Sequence, residues 1–308
     1  MADMKIFIAK AFATAAAAAS IPLFAAQEKS PAGEPLKVLM IGNSFSISCM
    51  SHLPSVAREL GKPLDVASLY IGGCPMKRHW RNIEAAASNA AFRPYRYDRD
   101  TCGRKVADNE SRNIPDALAE AKWDVVTVQQ ASGDSWNEST YHPWGDRLIE
   151  YIRKNAPQAK IVVQETWSYT PWDKRLAKWG MTQDEMYEKL HSAYAAFAAK
   201  HSLETIPMGT AVQKWRKRLP VEYAENSLGG DVVGGKGKPP EKRFKRGADG
   251  KWIPACDVFH LGDSGEYFQA LVWAAALFKD ADIGKVAKRP KCTTAREARL
   301  MREIAAGR

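Results

Sequence analysis

Residues 38–48 read VLMIGNSFSIS, an apolar run that halts on Gly42-Asn43-Ser44 and then resumes as a helix start. Val38 to Ile41 have the short, wholly apolar character of a buried strand. Gly42 allows a sharp turn, and the serines beyond it are good helix-capping residues. A serine on a strand-to-helix turn carries its hydroxyl at the end of a sheet, beside backbone N–H groups that no helix partner has claimed. An acyl-transfer nucleophile works from that position. An ordinary βα loop with a serine cap is the plainer reading of the same residues.

Outward from this turn, strand patterns alternate with helix patterns. Residues 37–42, 64–73, 123–132, 160–167 and 203–211 carry five strands, most with a continuous apolar run. Residues 51–60, 113–122, 143–156, 182–202 and 264–278 read as helices between and after them. The fourth of these opens with a capping box from Thr182 to Glu185 and places Met186, Leu190, Tyr194 and Phe197 on one face. Residues 293–308 form a last amphipathic segment with a Thr294–Glu297 box. Apolar strands alternating with helices predict a parallel sheet covered on both faces. The expected fold is therefore a three-layer α/β/α sandwich around a mainly parallel five-stranded sheet.

The chain's 308 residues, 45% hydrophobic and 26% charged, are enough for one large α/β domain. Lys5 and Lys10 precede an alanine-rich apolar run from Ala11 to Ala26. It is too short to span a bilayer and ends in small residues, so residues 1–26 read as a signal peptide cleaved near Ala25 or Ala26. Residues 27–35 make a linker, 36–284 the domain with a Gly/Pro/Lys insertion at about 216–256, and 285–308 a basic tail. No later stretch is long and apolar enough for a membrane span. The expected location is secreted or periplasmic. Cys49, Cys74, Cys102, Cys256 and Cys292 match no metal-binding spacing, and an oxidising compartment would permit one or two disulfides with a thiol left over.

The formal net charge of +10 is unevenly spread. Residues 234–251 hold seven Lys/Arg against two acids, and residues 285–308 hold eight against two, leaving the rest slightly acidic. The charge is thus a loop and a tail, either simply solvated or suited to an anionic surface or polymer. Nucleic acid is not an expected partner.

In a parallel sheet, ligands bind beyond the carboxyl ends of the strands. Those ends carry Asn43-Ser44, Gly72-Gly73, Gln129-Gln130 and Trp167. Near the C-terminus, CDVFHLGDSG sets Asp257 and His260 three apart, on one face if the segment is a helical turn. A carboxylate beside an imidazole fixes its tautomer and steadies the imidazolium, the orienting role in a Ser-His-Asp triad. His79 follows the glycine turn and is a candidate for the pocket wall. His142, His191 and His201 fall in a loop and on a helix, away from the strand ends. Trp136, Trp144, Trp167, Trp172 and Trp179 fall within 44 residues, so aromatic loops for sugar or acyl groups are expected, with core packing claiming some of them.

The chain resembles the SGNH/GDSL hydrolase superfamily, and more closely its secreted branch called domain of unknown function 4886. The resemblance is carried by Ile41 to Ser46, Gly72 to Cys74 with His79-Trp80, Trp123 to Ser132, Gln164 to Tyr169, Ile206 to Ala211 and Asp257 to Leu261. It runs in order over about residues 36–280. It implies Ser44 as nucleophile, His260 as base and Asp257 as its orienting acid. The oxyanion donors it implies are the N–H of Ser44, the N–H of Gly73 and a side-chain amide. Two departures stand out: Asn43 replaces the superfamily's Asp, and the block that usually supplies an oxyanion Asn is absent. Gln130 stands at the corresponding strand end, with Gln129 as the alternative. Asn43, His79, Trp167 and Tyr169 are the expected substrate contacts. The implied activity is removal of an acyl group, acetyl foremost, from an esterified carbohydrate or similar small ester, with no metal or organic cofactor. A glycan-binding relative without catalysis, and a polyanion-binding protein acting through the basic loop and tail, are the alternatives.

Overall fold

The computed structural model describes residues 33–219 and 221–308. The expected signal segment, 1–26, and all but the end of the linker lie outside the described residues.

A strand forms within each of the five expected segments: β1 (Leu36–Gly42), β2 (Leu64–Tyr70), β5 (Val125–Val128), β6 (Lys160–Gln164) and β7 (Glu204–Ile206); the segment 203–211 is strand only over its first half and turns into a helix at Met208. Two more, β3 (Tyr95–Thr101) and β4 (Arg104–Arg112), join them. The sheet is seven-stranded, not five-stranded, in the order β4-β3-β2-β1-β5-β6-β7. The extra pair is an antiparallel hairpin on the β2 edge, closed by Cys102 and Gly103 at φ 52° and 83°. Two successive left-handed residues suit a tight hairpin turn, and glycine is at home there. Only Tyr95, Tyr97 and Ala107 of this pair are buried. Its remaining residues are mostly charged, so no apolar run announced it.

Among the described residues, nine helices after the short α1 (Ser44–Ile47) cover the sheet. One layer gathers α3 (Met76–Ser88), α4 (Ile114–Glu120), α5 (Trp144–Asn155) and α7 (Gln183–His201). The other gathers α2 (Leu53–Glu59), α8 (Met208–Arg218), α9 (Asp263–Leu277) and α10 (Ala295–Ala305). The small α6 (Lys174–Trp179) lies in the β6–α7 connection. Both expected capping boxes form, Thr182 with Glu185 and Thr294 with Glu297. The basic C-terminal segment is a folded element: Ala298, Met301 and Ile304 of α10 are buried, and α10 packs on α9 and α8. The Gly/Pro/Lys insertion carries a two-stranded hairpin of β8 (Phe244–Arg246) and β9 (Trp252–Pro254).

β1 is parallel to both β2 and β5, so successive units leave it in opposite directions. This reversal opens a crevice at the carboxyl end of β1, where a doubly wound sheet binds its ligands. Gly42 to Ser44 occupy that end.

Candidate active site

The turn after β1 is built by close approach. A Cβ on Gly42 would collide with Ser46 Oγ, so glycine is required there. Asn43 is extended, and its Oδ1 caps α1 by accepting from the N–H of Phe45 at 3.0 Å. The same oxygen accepts from Gln129 Nε2 at 2.6 Å, while Asn43 Nδ2 donates to the carbonyl of Cys74 at 3.1 Å. One buried amide therefore ties together the ends of β1 and β5 and the Gly72–Cys74 turn. An aspartate could not make the third of these bonds when ionised, which explains the departure from the superfamily residue.

Ser44 opens α1, and its Oγ lies 2.8 Å from His260 Nε2. His260 Nδ1 lies 2.6 Å from Asp257 Oδ2. With its proton on Nδ1, the imidazole donates to the carboxylate and accepts the Ser44 hydroxyl proton at Nε2. The segment 257–260 is an irregular loop and not a helical turn. Asp257 Oδ1 accepts from the N–H groups of Phe259 and His260, each at 2.8 Å, and this side-chain-to-backbone turn sets the i,i+3 geometry instead. Burial works against the Asp257 charge, but the His260 bond and these two N–H groups outweigh it and hold the carboxyl below its ordinary pKa.

Residues given no such role from the sequence hold this geometry. Phe45 stacks on Trp167 at 4.1 Å, and Trp167 Nε1 donates to the carbonyl of Phe259. Gln164 and Gln269 both donate to the carbonyl of Phe45 at 2.7 Å. Arg175 sits 4.1 Å from the centroids of both Tyr169 and Phe259, and Phe259 in turn lies 4.1 Å from the His260 ring. The insertion also reaches the loop: the N–H of Gly234 donates to the carbonyl of His260 and that of Gly235 to the carbonyl of Asp257. The glycine pair itself is the signal in the sequence, since both residues adopt left-handed backbone, at φ 92° and 73°.

Both glutamines make hydrogen bonds within the fold itself. Gln130, the preferred candidate, gives Nε2 to the carbonyl and hydroxyl of Thr140 and receives the N–H groups of Met76 and Ala131 on Oε1. Its carboxamide is consumed in joining β5 to α3. Gln129 points to the opposite side from Gln130, as strand alternation requires, and there its Nε2 gives one N–H to Asn43 beside Ser44. The N–H groups of Ser44 and Gly73 donate to no acceptor among the described residues. Gly73 sits at φ 59° in the turn tethered by Asn43, with open space beside it.

The four residues expected as substrate contacts lie beneath the surface of the cleft. Asn43, His79, Trp167 and Tyr169 are all buried and bonded inward. His79 Nδ1 faces Tyr95 Oη at 2.9 Å, and burial lowers its pKa to about 3, so the ring is neutral. Tyr169 Oη pairs with Ser132. Trp167 supports Phe45 from below because a large indole at a strand end fills the core sooner than it lines a crevice. All five cysteines are free, and burial raises the Cys74 thiol to about 12. Among the described residues no three metal-ligating side chains gather.

Ser44, Asp257 and His260 line an open cleft of about 620 Å³. Its walls come from α1, the β3–β4 hairpin, Lys236 of the insertion and Glu266 of α9, and no tryptophan lines it among the described residues.

A three-layer α/β/α fold with a Ser-His-Asp constellation at the carboxyl edge of its sheet defines the class. The chain belongs to the DUF4886 family, whose domain of unknown function matches residues 37–226. A DUF4886 family protein from Bacteroides uniformis is 26% identical, with 89% of this chain and 94% of that one covered and a TM-score of 0.70. A candidate SGNH hydrolase from Slackia heliotrinireducens is 21% identical over 79% of this chain and 100% of that one, TM-score 0.48. An acetyl xylan esterase is 13% identical over the same 79% and all of that chain, TM-score 0.47. No curated protein matches the chain. Among the described residues no helix is long and apolar enough to cross a membrane.

Proposed function

We propose that the protein is a serine ester hydrolase with Ser44 as nucleophile, His260 as general base and Asp257 as the residue that orients it. The observation that carries this reading is the unbroken chain Ser44 Oγ to His260 Nε2 to Asp257, at 2.8 and 2.6 Å, open to a cleft. His260 takes the Ser44 proton as Oγ attacks the ester carbonyl. Asp257 stabilises the imidazolium, which then gives its proton to the leaving alcohol. The N–H groups of Ser44 and Gly73 hold the oxyanion, each donor contributing about 3–4 kcal/mol to the barrier reduction. Water releases the acid from the acyl-enzyme by the same steps in reverse.

The cleft supports a short acyl group on a polar alcohol. Its apolar lining is limited to Ile47, Met50, Ala107 and Leu261, too little for a long acyl chain, while charged side chains dominate the walls. Acetyl esters of carbohydrates fit that lining. The same reading has residues 1 to about 26 removed on export, on the strength of the Lys-flanked alanine-rich run. An intact Met1 on material recovered outside the cell contradicts that part.

The test is hydrolysis of p-nitrophenyl acetate. Wild type should turn it over, and Ser44→Ala should lose about four orders of magnitude or more in kcat. An inert wild type would leave the glycan-binding alternative in its place.

A further inference from the structure

The β3–β4 hairpin, absent from the expected fold, forms one wall of the cleft, and its charges are not all spent. Gly42 is in register with Tyr70, and Tyr70 with Arg96. Arg96 therefore lies level with the Ser44 turn, two strand spacings or about 10 Å across the sheet. Its side chain lines the same cleft and is 44% exposed. It gives only Nε–H to Asp98, at 2.7 Å, while its guanidinium lies over the Tyr70 ring. Neither Nη group donates a hydrogen bond among the described residues.

The same cleft receives Lys236 from the insertion. The Gly234-Gly235 bonds to the loop of Asp257 and His260 fix the backbone just before it. Its ammonium gives one bond to Glu266 at 2.5 Å and is half exposed, leaving further N–H groups for a second anion. The carboxylates of the cleft are differently placed. Asp98 accepts from Arg96 and the N–H of Asn109, Asp100 from the N–H of Gly103, Asp108 from Lys105 and Glu266 from Lys236. Arg99 is likewise committed, to Asp65 and Glu120. The cleft's five carboxylates slightly outnumber its four cations, so an anion would be held by the unspent N–H groups of Arg96 and Lys236 and not by net charge.

We propose that Arg96 and Lys236 are specificity-determining residues that hold an anionic group on the alcohol part of the ester, so that the preferred substrate is a short-chain ester of a carboxylate-bearing alcohol such as an acidic sugar. The inference rests on the esterase reading above. A free planar fork matches a carboxylate in two parallel bonds, and the ammonium adds a point charge.

The experiment compares kcat/KM for 4-acetoxybenzoate and 4-acetoxybenzamide, which differ in one charge. Wild type should prefer the benzoate about tenfold, mainly through KM, and the preference should shrink in high salt. Arg96→Gln should bring the ratio close to one while turnover of the benzamide is kept, and Lys236→Gln should lower the ratio partway. Retained benzamide turnover shows that the variants are folded, and a merely structural role for Arg96 would depress both esters alike. A wild-type ratio near one, or a ratio unmoved in both variants, overturns the proposal with the esterase reading intact. Failure to cleave either ester overturns the esterase reading itself, and this proposal with it.

Discussion

Replacing Asn43 probes the joint on which the site is hung. Its amide is buried and makes three hydrogen bonds, to the N–H of Phe45, to Gln129 Nε2 and to the carbonyl of Cys74. Asn43→Ala loses the helix cap, worth about 1 kcal/mol. It also strands the Gln129 amide and the Cys74 carbonyl, at about 1–3 kcal/mol each. The expected loss is about 3–7 kcal/mol, a large share of the stability of an ordinary domain. Asn43→Asp is the sharper perturbation. Ionised, it keeps both acceptor roles but turns an oxygen toward the Cys74 carbonyl, at about 2–4 kcal/mol. Protonated, it donates O–H to that carbonyl and restores the missing bond. Burial and the facing carbonyl raise this carboxyl's pKa in the folded variant above its unfolded value. The folded variant therefore binds the proton more readily, and its deficit against wild type should be largest at neutral pH and shrink as pH falls through the raised pKa. Urea unfolding followed by tryptophan fluorescence across that range measures both effects, and p-nitrophenyl acetate turnover should fall in both variants. An Asn43→Ala loss below about 1 kcal/mol, or an Asn43→Asp deficit independent of pH, would refute the reasoning.

Gln130→Ala should lose about 2–4 kcal/mol of stability, because it strands the N–H of Met76 and the Thr140 carbonyl, with kcat within a fewfold of wild type. A fall of 10²–10³ in kcat at unchanged stability would restore Gln130 to the oxyanion hole. His79, held near pKa 3 against 6.5 in the open chain, takes up its proton first in the unfolded state. Stability should then decline as pH falls from about 6.5 toward 3, by up to about 1.4 kcal/mol per pH unit from this group. His79→Gln should flatten that decline, and identical slopes in the two proteins would show that His79 does not drive it.

The sequence made the parallel core of the sheet readable because β1, β2, β5 and β6 are buried on both faces and so appear as apolar runs. The β3–β4 hairpin was not readable in the same way. Its buried side chains are two alternate tyrosines and an alanine among charged residues, and an edge hairpin needs no more. Ser44, Asp257 and His260 could be named because their chemistry depends on residue type at fixed local offsets. The turn that joins Asp257 to His260 could not, since an Asx turn and a helical turn share the i,i+3 spacing. Strand alternation correctly put Gln129 and Gln130 on opposite sides. Which of them faces Ser44, and whether its amide is free, depends on Asn43, Met76 and Thr140, which lie on three other elements. The burial of Trp167 and Tyr169 was hidden for a related reason: a strand end gives no sign of how deeply a large ring sinks.

The central claim is that Ser44 is the nucleophile, and covalent trapping tests it most directly. The protein is treated with a fluorophosphonate, which transfers a phosphonyl group to an activated serine, and the adduct is located by peptide mass spectrometry. The account predicts a single adduct on the peptide containing residues 38–48, at Ser44, formed in step with the loss of ester turnover and slowed greatly in His260→Ala. No adduct on an esterolytic protein, or an adduct on another serine with Ser44→Ala still active, would contradict it.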